Sequence, residues 1–324
     1  MPRIFGPRRR QVRETSRGGC LGAPVSRQTR VLKSHEYLGL YQLFVRGDTT
    51  YDRRVSKQDF HSIPVVMPPA SQQRAIADFL DRKTAALDEL IAKKERLADL
   101  ALKRSKTRAA ECVTRGLDPQ ACLRQSGIEW LGDIPAHWEV LRTRRVCSLT
   151  TGSRDTQDAV PDGTYPFFVR SQTIERINTY SFDGEGVLTA GDGVGSVAKV
   201  FHHFVGKFEF HQRMYLYYGF KRVLGRYYYY YLREWLAAVA KAGNAKITVD
   251  SLRRPMLMDF PVTVPPLSEQ RDIVAHLDSA AAETERVRVK VLQHIDKLRE
   301  YRQALIAAAV TGQLDVPGPP HATG

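Results

Sequence analysis

Residues 261–278 read PVTVPPLSEQRDIVAHLD, and residues 64–81 read PVVMPPASQQRAIADFLD. Ten of these 18 positions are identical at a constant offset of 197 residues. The same offset, without a gap, pairs Val113, Thr114, Leu117 and Asp118 with Val310, Thr311, Leu314 and Asp315. Two copies of a unit of constant length indicate a duplicated structural element.

Each copy predicts an extended entry followed by a long helix. The double prolines at 68–69 and 265–266 cannot continue a helix, so the chain must enter extended. Ser71 and Ser268 are then the predicted N-caps. Neither proline nor glycine interrupts the stretch that follows in either copy.

Apolar positions after each entry alternate in steps of four and three, which predicts a heptad seam. In the second copy the predicted seam runs through Ile273, Leu277, Ala280, Thr284, Val287, Val291, His294, Leu298, Tyr301, Leu305 and Ala308. In the first copy it runs through Ile76, Leu80, Lys83, Leu87, Leu90, Lys94, Leu97 and Ala101, and it frays afterwards at Arg104 and Arg108. Packing of the two helices on each other would bury both stripes, so we expect an antiparallel pair within the chain. Packing of each helix on its own domain, or pairing with another chain, are the alternatives.

The segment between the copies has a different pattern. It contains short β-like runs at 165–169, 187–189, 197–201, 208–210 and 214–218, separated by turn signals, and a helical pattern at 227–240. Trp130 and Trp138 are candidate core anchors. The pattern predicts an α+β fold, in which this domain is joined to two long helices packed as an antiparallel coiled coil.

The charge balance favours a polyanionic partner. The 324 residues include 49 Lys and Arg against 35 Asp and Glu, a net charge of +14. Attraction to nucleic acid is the first expectation for such a protein. Charge alone does not make it a DNA-binding protein, because +8 of the +14 lies in residues 1–35. Residues 1–35 hold nine basic residues and one acid without apolar periodicity, so we predict a disordered leader there.

Cysteine usage and hydropathy predict a cytoplasmic protein. The four cysteines lack metal-ligand spacing, and no export signal precedes them, so we expect reduced thiols rather than disulfides. No apolar run approaches the roughly 20 residues of a membrane span.

Catalytic and metal signatures are missing from the sequence. Gly206-Lys207 lacks the glycine spacing of a phosphate-binding loop, and neither Pro-Pro pair follows the Asn or Asp of an amino-methyltransferase motif. Gly191-x-Gly193-x-Gly195 is interpreted as a β-turn. His202, His203 and His211 lack a carboxylate or cysteine at ligand spacing, so no metal site is predicted. These observations disfavour a stand-alone nuclease or methyltransferase.

Several polar side chains in the middle domain suit DNA base recognition, because Arg and Lys pair with guanine edges and Asn and Gln with adenine edges. The predicted DNA-binding residues are Arg170, Gln172, Lys199, Gln212, Arg213, Lys241, Asn244 and Lys246. The alternative for each is an ordinary solvated surface residue.

The chain resembles the specificity subunits of type I restriction-modification systems. The resemblance rests on both copies of the Pro-Pro-x-Ser-x-Gln-Arg run and on EWLGDIPAHWE at 129–139, and it covers about residues 36–316. It implies target-recognition domains that each read one half of a split DNA site, and two helices that set the spacing and bind methyltransferase (modification) subunits. It also implies no catalysis in this chain. S-adenosylmethionine, ATP and Mg are expected on the modification and restriction subunits, and none on this chain.

On this resemblance the partner-binding residues are expected along the helices, at Leu87, Leu90, Leu97, Val287, Val291, Leu298 and Leu305. The predicted domains are a leader at 1–35, a remnant of a first recognition domain at 36–63, the first helical spacer at 64–118, the second recognition domain at 119–260, the second spacer at 261–316 and a tail at 317–324.

The short first recognition domain departs from the family pattern. It leaves open an inactive truncated remnant, a coiled-coil scaffold without a DNA role, and a second copy of the chain that supplies the other half-site.

Overall fold

The computed structural model describes residues 68–191, 199–242 and 252–316, with the backbone alone at 238–242. The helices are α1 (Ala70–Arg115), α2 (Thr143–Val146), α3 (Gly225–Ala242), α4 (Arg254–Asp259) and α5 (Leu267–Thr311). The strands are β1 (Leu123–Gln125), β2 (Asp133–Pro135), β3 (Glu139–Arg142), β4 (Ser148–Thr151), β5 (Tyr165–Phe168), β6 (Glu175–Ile177), β7 (Phe182–Ala190), β8 (Phe201–Phe210), β9 (Met214–Tyr218) and β10 (Pro261–Val264). The predicted α+β class is confirmed.

Several sequence-based domain predictions lie wholly or partly outside the described residues. They are the leader at 1–35, the first-domain remnant at 36–63, the start of the first spacer at 64–67 and the tail at 317–324. The other domain boundaries stay predictions.

Both long helices begin in the same way. α1 begins at Ala70 and α5 at Leu267, one residue before the serines predicted as N-caps, so that prediction is wrong. In each copy the backbone N–H of Gln73 or Gln270 donates to the carbonyl of the second proline at 3.0 Å. The side-chain amide of the same glutamine donates to the first proline's carbonyl, at 2.7 Å and 2.8 Å respectively. The second proline therefore takes the capping place that the serine was expected to fill.

The chain divides into two compact units, of which the first comprises residues 1–95 and 291–324. In this unit Ile76 and Leu80 of α1 share an apolar cluster with Ala309 and Val310 of α5. Arg302 donates to Asp88 at 3.3 Å and Arg299 to Glu95 at 3.0 Å. Early residues of one helix thus meet late residues of the other, which makes the pair antiparallel.

The second unit comprises residues 96–290 and repeats this packing with the copies exchanged. Val113, near the end of α1, clusters with Ile273 and Leu277, near the start of α5. These three residues occupy the positions of Val310, Ile76 and Leu80 shifted by 197. The hydroxyl of Tyr227 donates to the carbonyl of Val113 at 3.1 Å, so the end of α1 is satisfied by the middle domain.

The buried stripes of the long helices follow the straight helical period and not a heptad. In α1 the more buried positions are Ile76, Leu80, Thr84, Leu87, Ile91, Lys94, Ala98, Ala101, Ser105, Ala109 and Cys112; in α5 they are Ile273, Leu277, Ala280, Thr284, Arg288, Val291, Ile295, Leu298, Arg302, Leu305 and Ala309. Each stripe covers 36 residues in ten steps, which is 3.6 residues per step. A heptad template drifts from this period by about 20° per repeat.

The predicted seam is therefore wrong by one residue at several positions. Leu90 is 41% exposed and Leu97 54%, while the next residues along, Ile91 and Ala98, face inward. In α5 Val287 is 42% exposed and Tyr301 57%. Lys83 and His294 are also exposed, and Ala308 is only partly buried, beside buried Ala309. Arg104 and Arg108 are exposed at the end of α1 where the predicted seam frays.

The six-stranded sheet of the middle domain has the order β4-β9-β7-β8-β5-β6 and is antiparallel except for the β5–β8 pair. β10 pairs antiparallel with β3, and β1 with β2. Trp138 is buried in the core, and Trp130 packs partly buried against it. Four of the five tyrosines at 227–231 are at most 1% exposed, so this run of α3 is core and not a surface stacking platform.

Cysteines and hydropathy add two observations. Cys112 and Cys147 are buried free thiols, and Cys122 is an exposed one. None of the helices in the described ranges has an apolar stretch that could cross a bilayer.

Candidate nucleic-acid interface

Strands β5 and β8 run parallel, and their carboxyl ends deliver two polar segments to one end of the sheet. Phe168 is the register partner of Phe210, and the N–H of His211 donates to the carbonyl of Phe168 at 2.9 Å. Residues 169–172 after β5 and 211–213 after β8 therefore leave the sheet side by side.

The 211–213 segment is fixed on both flanks by backbone hydrogen bonds. The N–H of Gln212 donates to the carbonyl of Arg154 at 2.8 Å, just beyond β4. The carbonyl of Arg213 accepts from the N–H of Gly191 at 2.8 Å, just beyond β7. Together with the bond from His211 to Phe168, these contacts hold the segment at the ends of β4, β5 and β7.

The loop after β5 is tied to the segment that precedes β8. The side-chain amide of Gln172 donates to the carbonyl of Lys199 at 2.8 Å. The Nε2 atom of His202, whose ring is buried, donates to the carbonyl of Ser171 at 2.9 Å. Burial lowers the pKa of this imidazole below its ordinary value of 6.5, against the opposing effect of the Ser171 bond, so the ring is neutral at neutral pH.

The structure brings five of the eight predicted DNA-binding residues to this end of the sheet. Arg170 is partly buried, and Gln172, Lys199, Gln212 and Arg213 are exposed. We call these five residues, together with Arg154, the sheet-end surface. Lys241 lies in the last turn of α3, where the backbone alone is described, and Asn244 and Lys246 lie outside the described residues. Their DNA contacts stay predictions.

Gln212 is oriented by an acidic neighbour. Its side-chain amide donates to Oδ2 of Asp155 at 2.8 Å. Desolvation pushes the pKa of Asp155 upward, but hydrogen bonds from Thr156, Gln212 and Gln157 and the nearby His211 together lower it below its ordinary value of 3.8. Asp155 is therefore ionised at neutral pH and serves as the acceptor, which leaves the amide oxygen of Gln212 available to a ligand.

His211 fixes the backbone of Arg213. Its ring is 1% exposed, and its Nδ1 accepts from the N–H of Arg213 at 2.9 Å. This assigns the proton to Nε2, which lies 3.8 Å from Oδ2 of Asp155. A buried ring thus positions the backbone from which the exposed Arg213 side chain extends.

Arg154 is a cation of this surface that the sequence analysis missed. Its Nε lies 3.8 Å from Oε2 of Glu209, a carboxylate only 2% exposed on β8. The other oxygen of Glu209 accepts from the Ser181 hydroxyl and from the N–H of Phe210. The guanidinium of Arg154 thus contacts a buried carboxylate, and because its side chain is 43% exposed it is also accessible to solvent. No local signal marks it, because Glu209 lies 55 residues further along the chain.

The three histidines weighed as metal ligands have separate partners. His202 bonds to Ser171, His203 to Glu185 at 2.9 Å, and His211 to Arg213. Within the described ranges no group of three or more His, Cys, Asp or Glu side chains could hold a metal ion.

The residues predicted to bind partner subunits have unequal exposure. Val291 is buried, Leu87, Leu298 and Leu305 are partly buried, and Leu90, Leu97 and Val287 are exposed. The exposed three are accessible to a partner, whereas Val291 faces inward. Their role in subunit contact stays a prediction.

Known proteins match this chain in sequence and in fold. Residues 135–295 match the sequence model of the type I restriction modification DNA specificity domain. The type I restriction enzyme EcoDI specificity subunit of Escherichia coli is 31% identical over 185 residues, which are 56% of this chain and 40% of that protein. The EcoBI specificity subunit of Escherichia coli is 36% identical over 89 residues, 28% of this chain and 19% of that protein. The chain thus spans two fifths or less of these curated relatives.

The fold is shared with a solved chain described by the words "Structural basis underlying complex assembly and conformational transition of the type I R-M system". It superposes with a TM-score of 0.67 at 19% identity, over 89% of this chain and 71% of that chain.

Proposed function

We propose that this chain, which belongs to the family of type I restriction modification DNA specificity domains, reads one half of a split DNA target with its sheet-end surface. The observation that carries the proposal is the convergence of Arg154, Arg170, Gln172, Lys199, Gln212 and Arg213 at one end of the sheet.

The chemistry of this surface suits base recognition. Arginine pairs in a bidentate manner with O6 and N7 of guanine, and glutamine with N6 and N7 of adenine. Gln212 is pre-oriented by Asp155 and Arg154 by Glu209, so less side-chain freedom is lost on binding. One domain of this kind contacts a few base pairs, at about 1–3 kcal/mol of discrimination per well-contacted base.

The chain would direct catalysis that other subunits perform. Modification subunits using S-adenosylmethionine, and a restriction subunit using ATP and Mg, would do the chemistry, while this chain binds no cofactor and acts in the cytoplasm. A second copy of the chain would supply the other half-site as an inverted repeat.

Selection from a randomised duplex library tests the proposal, with the full chain alone and with the modification subunits of its own system. We expect one short motif, enriched strongly only when the modification subunits are present. A pure scaffold would enrich no motif in either arm. An asymmetric two-part target read by this chain alone would contradict the single-domain interpretation. The isolated chain should show no methyl transfer, ATP hydrolysis or DNA cleavage.

A further inference from the structure

A cleft of about 520 Å³ lies in the second unit, between residues 101–109 of α1, residues 276–287 of α5 and residues 230–233 of α3. None of its lining residues belongs to the sheet-end surface. Its lining includes several small side chains, among them Ala101, Ser105, Ala109 and Ala280. Such short side chains leave the space between the helix backbones unfilled, which is why the cleft exists.

The cleft carries three cationic side chains. Arg104, Arg108 and Arg233 all line it. Arg108 donates from Nε to Nε2 of His276 at 2.9 Å, so that imidazole nitrogen is unprotonated and the terminal N–H groups of Arg108 remain for a ligand. Arg104 is exposed, and the structure places no carboxylate of the described residues within ion-pairing distance of it.

Arg233 is held rigidly beside the cleft. Its Nε donates to Oε1 of Glu234 at 2.8 Å, and its guanidinium lies over the rings of Tyr229 and Tyr230, 5.4 Å and 5.1 Å from their centroids. Stacking and the ion pair fix the plane of the guanidinium, which reduces the freedom lost when it binds an anion.

Acidic groups offset only part of these charges, because Glu234 pairs with Arg233, whereas Arg104 and Arg108 have no carboxylate partner among the described residues. Glu283 is the one carboxylate among the lining residues. Asp278, close by on α5, accepts from Arg226 at 2.7 Å and from the Tyr230 hydroxyl. The α1 wall belongs to a run in which Lys103, Arg104, Lys106 and Arg108 are all exposed and no acid intervenes.

We propose that this cleft binds the phosphodiester backbone of duplex DNA without regard to sequence. The inference rests on the proposed function, because it assumes that the chain meets DNA. Guanidinium groups match phosphate oxygens through paired N–H donors. Three of the fourteen described lining residues are arginines, and this cationic character favours a phosphate ligand.

The test is the salt dependence of DNA binding by the full chain. Fluorescence anisotropy would measure Kd between about 50 and 200 mM salt for a duplex carrying the selected motif and for a scrambled duplex. The variant is Arg104→Gln, since Arg104 is exposed and its loss leaves the helix packing intact. Arg96→Gln is the matched control, because it removes the same charge from the same helix outside the cleft. Circular dichroism would verify the fold of each variant.

We expect Arg104→Gln to reduce the slope of log K against log salt by about one on both duplexes, and to weaken binding roughly eightfold at 0.1 M salt. Arg104→Lys should restore the slope, and Arg96→Gln should leave it unchanged. An unchanged slope for Arg104→Gln, or a loss confined to the motif duplex, would overturn the proposal.

The outcome also separates the two proposals. If Arg104→Gln lowers the slope of log K against log salt on the scrambled duplex but no motif is ever selected, phosphate binding in the cleft is supported and the base-reading function is rejected. Absence of binding to any duplex, with the modification subunits present as well as without them, would overturn both proposals.

Discussion

The indole nitrogen of Trp138 donates a hydrogen bond of 2.8 Å to the carboxylate of Glu269. The other carboxylate oxygen lies 2.6 Å from Nε2 of His137. Trp138 closes the EWLGDIPAHWE motif, and Glu269 belongs to the second PPLSEQR run. Trp138 and Glu269 lie 131 residues apart in the sequence, so the two motifs meet in one contact. This contact joins the start of the middle domain to the start of α5. In the first copy the equivalent position, 197 residues earlier, is Gln72.

Removal of this carboxylate should destabilise the second unit. Trp138 is 1% exposed, so Glu269→Ala would leave a buried N–H without its acceptor. We expect a loss of roughly 1–3 kcal/mol in the free energy of unfolding. Urea denaturation followed by tryptophan fluorescence measures it. Gln72→Ala is the control, because this exposed residue should change stability by less than about 0.5 kcal/mol. Equal losses in both variants would contradict the contact's role.

The position of the buried stripe can be tested in α1 with two leucines. Leu80 is fully buried against α5, whereas Leu90 is 41% exposed. We expect Leu80→Ala to lower the free energy of unfolding by about 2–5 kcal/mol and Leu90→Ala by under about 0.5 kcal/mol. Thermal and urea denaturation compare them. If Leu90→Ala lowered the free energy of unfolding by as much as Leu80→Ala, the heptad seam would be supported and the stripe with a period of 3.6 residues would be rejected.

The repeat predicted the helices closely because an element duplicated at fixed length must have the same bounds in both copies. α1 and α5 begin at Ala70 and Leu267, which are 197 residues apart. The phase of the stripe was less predictable. Leu97 is more apolar than the inward-facing Ala98, and the exposed Leu90 is followed by the equally apolar Ile91, so side-chain apolarity alone does not locate the buried stripe.

The sheet-end surface was predictable only in part. Arg170, Gln172, Gln212 and Arg213 stand next to aromatic strand patterns, and chain position alone marks them as strand-end residues. Arg154 acquires its place from Glu209, and Gln212 its orientation from Asp155. Such pairs form only after the sheet is assembled, so composition and spacing cannot reveal them.

His202 should make the stability of the middle domain sensitive to mild acid. Its folded pKa is below the ordinary value of 6.5, mainly because the ring is buried. The unfolded chain therefore binds the proton first, and stability falls as the pH drops below about 6.5. His202→Gln keeps an N–H donor for Ser171 and removes the titration. As the pH is lowered from about 7 to 5, the denaturation midpoint of His202→Gln should therefore fall less steeply than that of the unsubstituted chain. Parallel curves for the two proteins would exclude His202 as the source.

Asp155→Ala should reduce base discrimination at one base pair without reducing the affinity for DNA of any sequence. The substitution removes the acceptor that orients the Gln212 amide. It also removes a negative charge next to the DNA, so binding to scrambled duplex should stay equal or become tighter. We expect a loss of about 1–3 kcal/mol in discrimination at a single position of the selected motif. Gln212→Ala should lose the same preference, and the double variant should lose no more. Additive losses would show that the two residues act independently.

Arg213→Ala distinguishes base reading from phosphate binding at the sheet end. The buried ring of His211 accepts from its backbone N–H, so truncation of the exposed side chain should leave the loop in place. If Arg213 reads a base edge, one position of the motif should relax by about 1–3 kcal/mol while the salt slope stays constant. If it holds a phosphate, all duplexes should bind more weakly and the slope should fall by about one. Lys221→Ala is the control, because it removes one charge beyond the opposite end of β9. A variant in which neither the preference nor the slope changes relative to Lys221→Ala would remove Arg213 from the interface.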